Sequence, residues 1–195
     1  MEFVLGVIGN FLLVVVGSGA SIGFLNWFTD RKKSKSKVKF LATQLAVQLE
    51  GYALECFEDI SNQDDYIGHE GYIGSTIAFV PELPKIPTSD DYMQLDNNLL
   101  DEFLQMPQDR ITANRAAIFW DQVDRECANS AYRESTVVMG HKALTLSKKL
   151  RQKYKLPQRE LKSGVCELNK FFHDQMIEIE ERMKKSKERK LAKNA

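Results

Sequence analysis

Three cysteines in 195 residues, at 56, 127 and 166, are too few and too widely spaced for a disulfide framework, and no CxxC pair is present. Reduced thiols in a cytoplasmic compartment fit this usage best. Each lies on or beside the apolar row of its predicted helix, the place of a small buried hydrophobe. The three histidines, His69, His141 and His173, are equally scattered. There is no HExxH and no histidine pair at four-residue spacing. Cys127 and His141 are fourteen residues apart, about 21 Å along a helix, so one ion cannot bind both. No GxxxxGK[ST] loop appears. The chain is therefore expected to hold no metal and no cofactor, and no catalytic residue is assigned.

The formal net charge is zero, but the charges fall in blocks. Arg31 to Lys39 holds six basic residues and no acid. Glu55 to Glu102 holds twelve carboxylates against Lys85 alone, a net −11. Arg182 to Lys193 holds seven basic residues against Glu188, a net +6.

Residues Phe3 to Thr29 form 27 uncharged positions rich in Val, Leu, Ile and Phe, about 40 Å as a helix and long enough to cross a bilayer. A cleaved signal peptide would need a basic segment before the apolar run and a small-residue cleavage site after it. Here the cations follow, so the reading is a retained transmembrane anchor over 1–30. The positive-inside bias then predicts an N-terminus outside and a C-terminal domain in the cytoplasm, at the inner (plasma) membrane. Arg31, Lys32, Lys33 and Lys35, in the juxtamembrane segment 31–36, are the lipid-contact candidates, each worth about 1 kcal/mol near an anionic surface. They also serve simply as the topology signal. Gly19 and Gly23 make one GxxxG, the candidate face for self-association within the membrane, although glycine is common in such helices.

After the anchor, Val38, Leu41, Leu45, Leu49, Tyr52, Cys56 and Ile60 recur at the helical period and predict a helix over 37–59, continuing from the span. Residues 61–93 hold Gly68, Gly71, Gly74, Pro81, Pro84 and Pro87 without a sustained period, and read as an irregular excursion. Thirty residues are long for a passive connection, and the apolar content of this one predicts packing across the helices, with 77–80 extended. A short helix over 95–104 is expected to close at Pro107. A long one over 109–154, stopped by Leu156 and Pro157, carries the row Ala116, Phe119, Val123, Cys127, Ser130, Val137, Leu144 and Thr145. A last helix over 158–190 carries Leu161, Val165, Leu168, Phe172, Ile179 and Met183. The fold class is all-α: an N-terminal transmembrane helix, then an antiparallel helical bundle over 37–183, then a basic tail over 184–195.

Glu55 and Asp59, one turn apart, could hold a hard cation or act as an acid and base pair, but the surrounding acidic run reads more simply as a solvated face. His69 and Glu70 are the pocket candidates of the excursion, where the glycines otherwise only let the chain turn. The basic tail lacks interleaved aromatics, so nucleic acid is an unlikely partner and anionic lipid a better one.

The strings LEGYALEC at 49–56, VPELP at 80–84 and AIFWDQV at 117–123 resemble a family of uncharacterised bacterial single-pass membrane-anchored proteins, over about Val38 to Pro157. The resemblance implies a membrane anchor and brings no activity with it.

Two functions follow from the sequence. One is a membrane-tethered interaction or scaffold module, whose partners are the lipid bilayer and either another protein or a second copy bound through the transmembrane helix. The other is a ligand-binding module or enzyme with a pocket between the 61–93 excursion and the helices. The absence of a reaction motif favours the first.

Overall fold

A computed structural model of the chain describes residues 20–68, 79–85, 92 and 94–194. Helices dominate it: α1 (Ala20–Gly68), α2 (Asn97–Asp121), α3 (Arg125–Lys153) and α4 (Leu168–Asn194), with a two-stranded hairpin, β1 (Lys162–Ser163) and β2 (Cys166–Glu167), before α4. The contacts divide the chain into two units, 1–40 and 41–195, and the second is a helical bundle.

In the bundle part of α1, Leu41, Leu45, Leu49, Tyr52, Cys56 and Ile60 are buried as their spacing predicts, with Ala42, Ala46 and Ala53 beside them. Their small side chains let a neighbour approach. That neighbour is α3, where Gly140 comes so close that a Cβ placed on it would stand 3.1 Å from Cys56 Cβ and 2.4 Å from Phe172 Cε1. Phe171 of α4 packs edge-on against Phe57 at 4.9 Å between ring centres.

The pairs between helices fix their directions. Glu50 of α1 bonds Ser147 and Arg151 of α3, while Cys56 lies against Gly140, so α1 and α3 are antiparallel. Lys153 pairs with Asp96, Lys149 with Glu102 and Lys142 with Asp109, so α2 and α3 are antiparallel as well. Arg133 bonds Gln175 while Gly140 faces Phe172, which gives the same relation between α3 and α4. Helices α1 and α2 therefore run parallel. The described stretch of the excursion, 79–85, has no regular secondary structure and follows α2: Val80 is buried, its N–H donates to Asn114 Oδ1 at 2.9 Å, and its carbonyl accepts from Arg110 Nε at 2.9 Å.

Four sequence expectations need correction. First, α1 runs to Gly68, so 61–68 belongs to a helix and not to the excursion.

Second, Pro107 lies inside α2 and does not end it. A proline costs a helix interior one hydrogen bond and a clash with the preceding turn. Here Leu99, Phe103 and Met106 are buried on one side of it, and Glu102 and Asp109 pair with α3 lysines across it, so packing outweighs the local penalty.

Third, the predicted 109–154 helix is two helices. The break at Gln122 to Asp124 is where Asp124 caps α3 by accepting from Glu126 N–H at 3.0 Å. The apolar row predicted through this point dissolves, since Phe119 and Val123 are exposed and Ala117 is the buried residue.

Fourth, 158–167 is not helical. Gly164 adopts φ +58°, the left-handed geometry a two-residue hairpin loop requires, with Ser163 opposite Cys166 and Lys162 opposite Glu167. Val165 is fully exposed at its tip.

The end of α3 obeys its sequence signals. Leu156 N–H donates to Arg151 O at 2.8 Å and Lys155 N–H to Gln152 O at 3.3 Å, with Lys155 at φ 52°. This is the Schellman arrangement, and Pro157 follows it.

Candidate functional site

The best-built polar constellation in the bundle joins Glu50, Ser147 and Arg151, all at most 6 % exposed. Glu50 Oε1 accepts from Ser147 Oγ at 2.7 Å and from Arg151 Nε at 2.6 Å, and Oε2 accepts from Arg151 Nη2 at 2.9 Å. Arg151 Nη1 also donates to Pro157 O at 2.7 Å. The hydrogen bonds to Glu50 hold the guanidinium above its already high pKa. Three of the four lone-pair sites of Glu50 are thus occupied, and the carboxylate is held rather than free to turn. The cluster is a clamp between α1, α3 and the turn that follows α3. Sequence reading missed it, although Ser147 and Arg151 sit one turn apart beside Leu144 and Leu150, the spacing that would have flagged a buried polar pair.

The cysteines divide. Cys56 is buried, and loss of solvation pushes its thiol up to about 12. Cys127 is exposed and Cys166 half-buried, which corrects the expectation that all three are core thiols. Cys127 lies outside the core because the helix break moves its turn to the surface, where Cys127 Sγ lies 3.2 Å from Asp124 Oδ2. A maleimide added to the native chain at pH 7.5 should therefore label Cys127 and Cys166 and spare Cys56 until denaturant unfolds the bundle. Mass spectrometry of the labelled peptides reads this order, and early labelling of Cys56 would show that the α1/α3 contact opens.

His141 and His173, scattered in sequence, meet in one open groove of about 400 Å³ between α3 and α4, together with Thr145, Lys148, Asn169 and Lys170. Burial, then the positive field of His173 and Lys148, lowers the pKa of His141, against a smaller raising effect of Glu180. Among the described residues no group of three or more His, Cys, Asp or Glu side chains is arranged to hold a metal ion. Glu55 is exposed, while Asp59 is partly buried and its pKa is raised by desolvation.

An apolar surface marks α2. Leu104, Ile111 and Ile118 are 58 %, 42 % and 38 % exposed and recur every seven residues. Each lies two positions, about 200° of helix, beyond the row of Glu102 and Asp109 that faces α3, so the seam points away from the bundle. Phe119, also exposed, lies next to Ile118 near the end of α2, its ring edge to face with that of Trp120 at 5.4 Å.

Of the residues singled out from the sequence, Gly19, His69 and Glu70 lie outside the described residues. The backbone of Gly23, Arg31, Lys32 and Lys33 is helical within α1, and Lys35 is exposed. Most of the apolar run Phe3 to Thr29 likewise lies outside the described residues, and among those described no helix is long and apolar enough to cross a membrane. No family model, no curated protein and no solved structure matches the chain.

Proposed function

We propose that the chain is a membrane-tethered helical interaction module: residues 1–30 fix it in the inner membrane, the basic segment after them holds the bundle on the cytoplasmic side, and α2 docks a helix of a partner protein. The observation that carries this reading is the exposed seam of Leu104, Ile111 and Ile118. Seven-residue spacing on a helix is the pattern that seats the knobs of a second helix, and it selects a helical partner over an extended peptide. Phe119, exposed beside Ile118, adds an aromatic ring near the end of the seam. The membrane part of the reading rests on the uncharged run Phe3 to Thr29 and the six cations after it. The clamp at Glu50 is consistent with a scaffold, since it holds three segments together.

Photo-crosslinking from within the membrane tests the docking surface. A photoreactive phenylalanine at Ile111 or Ile118 should give one discrete adduct, lost when Leu104→Glu is introduced, while the same group at the exposed Glu126 should give none. Equal adducts from all three positions, or none from the seam, would contradict the reading.

A further inference from the structure

The lysines of α3 divide by the face they occupy. Lys142, Lys149 and Lys153, on the α2 side, are each paired with a carboxylate. Lys148, on the α4 side, forms no ion pair or hydrogen bond with any described residue, and neither does Lys170 across the groove from it. Lysines facing a groove without a carboxylate partner repel one another, and the fold gains nothing from holding them together. His141 and His173 stand in the same groove, and His141 is already pushed toward its neutral form. The one carboxylate on the lining, Glu167, shares its charge with Lys162 at 3.9 Å. Thr145 and Asn169 add neutral hydrogen-bonding groups. Two ammonium groups, two imidazoles each with a ring N–H donor, and neutral donors around about 400 Å³ form a receptor for a compact polyanion.

We infer that the groove between α3 and α4 binds a phosphate or pyrophosphate group, held by the Lys148 and Lys170 ammonium groups and by ring N–H groups of His141 and His173. The chemistry is common to a soluble phosphorylated metabolite and to a phosphate-bearing lipid headgroup, and the test separates these sources. The inference does not depend on the α2 seam.

The experiment is histidine-selective NMR of the full chain in neutral-detergent micelles, titrated with pyrophosphate. The signals of His141 and His173 should move together and saturate, those of His69 should stay, and the pKa of His141 should rise on binding. The affinity should fall as pH rises and His141, which faces Lys148, His173 and Glu180, loses the proton that the bound anion stabilises. Replacing both exposed lysines, as Lys148→Gln with Lys170→Gln, should weaken binding by at least about tenfold, the scale of a lost charge-assisted contact. The pair Lys184→Gln and Lys185→Gln in the tail should leave it unchanged. Saturation by pyrophosphate in micelles assigns a soluble ligand. Shifts that need bilayer discs containing phosphatidic acid, and that neutral phosphatidylcholine discs do not give, assign a headgroup. Failure of both, or shifts unaffected by the groove lysines, would overturn the inference.

Discussion

Replacing Arg151 by alanine will lower the thermal unfolding midpoint of the bundle by roughly 10 °C, the shift expected from a loss of about 3–5 kcal/mol in a domain of this size. The cost arises less from the attraction that is lost than from what remains. Glu50 is buried at 5 % exposure, and without Arg151 only Ser147 among the described residues still donates to it, leaving Oε2 without a protein partner. The same change frees Pro157 O, so the turn after α3 loosens with it. The double change Glu50→Leu with Arg151→Met should recover most of the loss, because replacing both members of a buried pair removes the desolvation problem. Circular dichroism melts of the two variants against the unchanged chain provide the check. A midpoint for Arg151→Ala within 2–3 °C of the parent, less than about 1 kcal/mol, would mean that the pair is open to water in solution.

The helical glycines Gly140 and Gly51 should respond to alanine with opposite signs. At Gly140 a methyl group would stand 2.4 and 2.5 Å from Phe172 Cε1 and Cζ, and Phe172 is fully buried with no space to retreat. Gly140→Ala should destabilise by about 2–3 kcal/mol through overpacking, despite the better helix propensity of alanine. Gly140→Ala combined with Phe172→Leu should lose less than the two single changes together, the signature of direct contact. At Gly51 nothing lies within 4 Å of the added methyl, so Gly51→Ala should stabilise by about 0.5–1 kcal/mol. Urea unfolding reads both, and a destabilising Gly51→Ala would show that this part of α1 is covered in the native protein.

The parts of this fold that follow from repetition were legible in the sequence. The row from Val38 to Ile60 repeats at three and four residues, and all of it is buried except Val38, which is half-buried. The stop at Leu156 and Pro157 follows from local chemistry alone, and α3 ends at Lys153. What depended on distant partners was not legible. Pro107 is a breaker by every local rule and is overruled by packing and ion pairs supplied from α3, thirty to fifty residues away. The helix break at Gln122 to Asp124 carries no proline or glycine, and its only mark is a capping aspartate that elsewhere would be a surface charge. The hairpin at Lys162 to Glu167 turns on one glycine inside a pattern whose apolar spacing suited a helix. The site suffered most. Glu50 and Arg151 are 101 positions apart, and His141 and His173 lie on different helices, so neither meeting could be read without the bundle that creates it.

Cys127 provides a natural reporter for the central claim, a bundle tethered on the cytoplasmic face. It is exposed, whereas Cys56 is buried and serves as the internal control. A membrane-impermeant maleimide applied to intact cells should leave Cys127 unlabelled, and the same reagent applied to inverted membrane vesicles should label it, with the chain still in the pellet after alkaline carbonate extraction. Labelling of Cys127 in intact cells would place the bundle on the opposite side, and release of the chain by carbonate would remove the tether altogether.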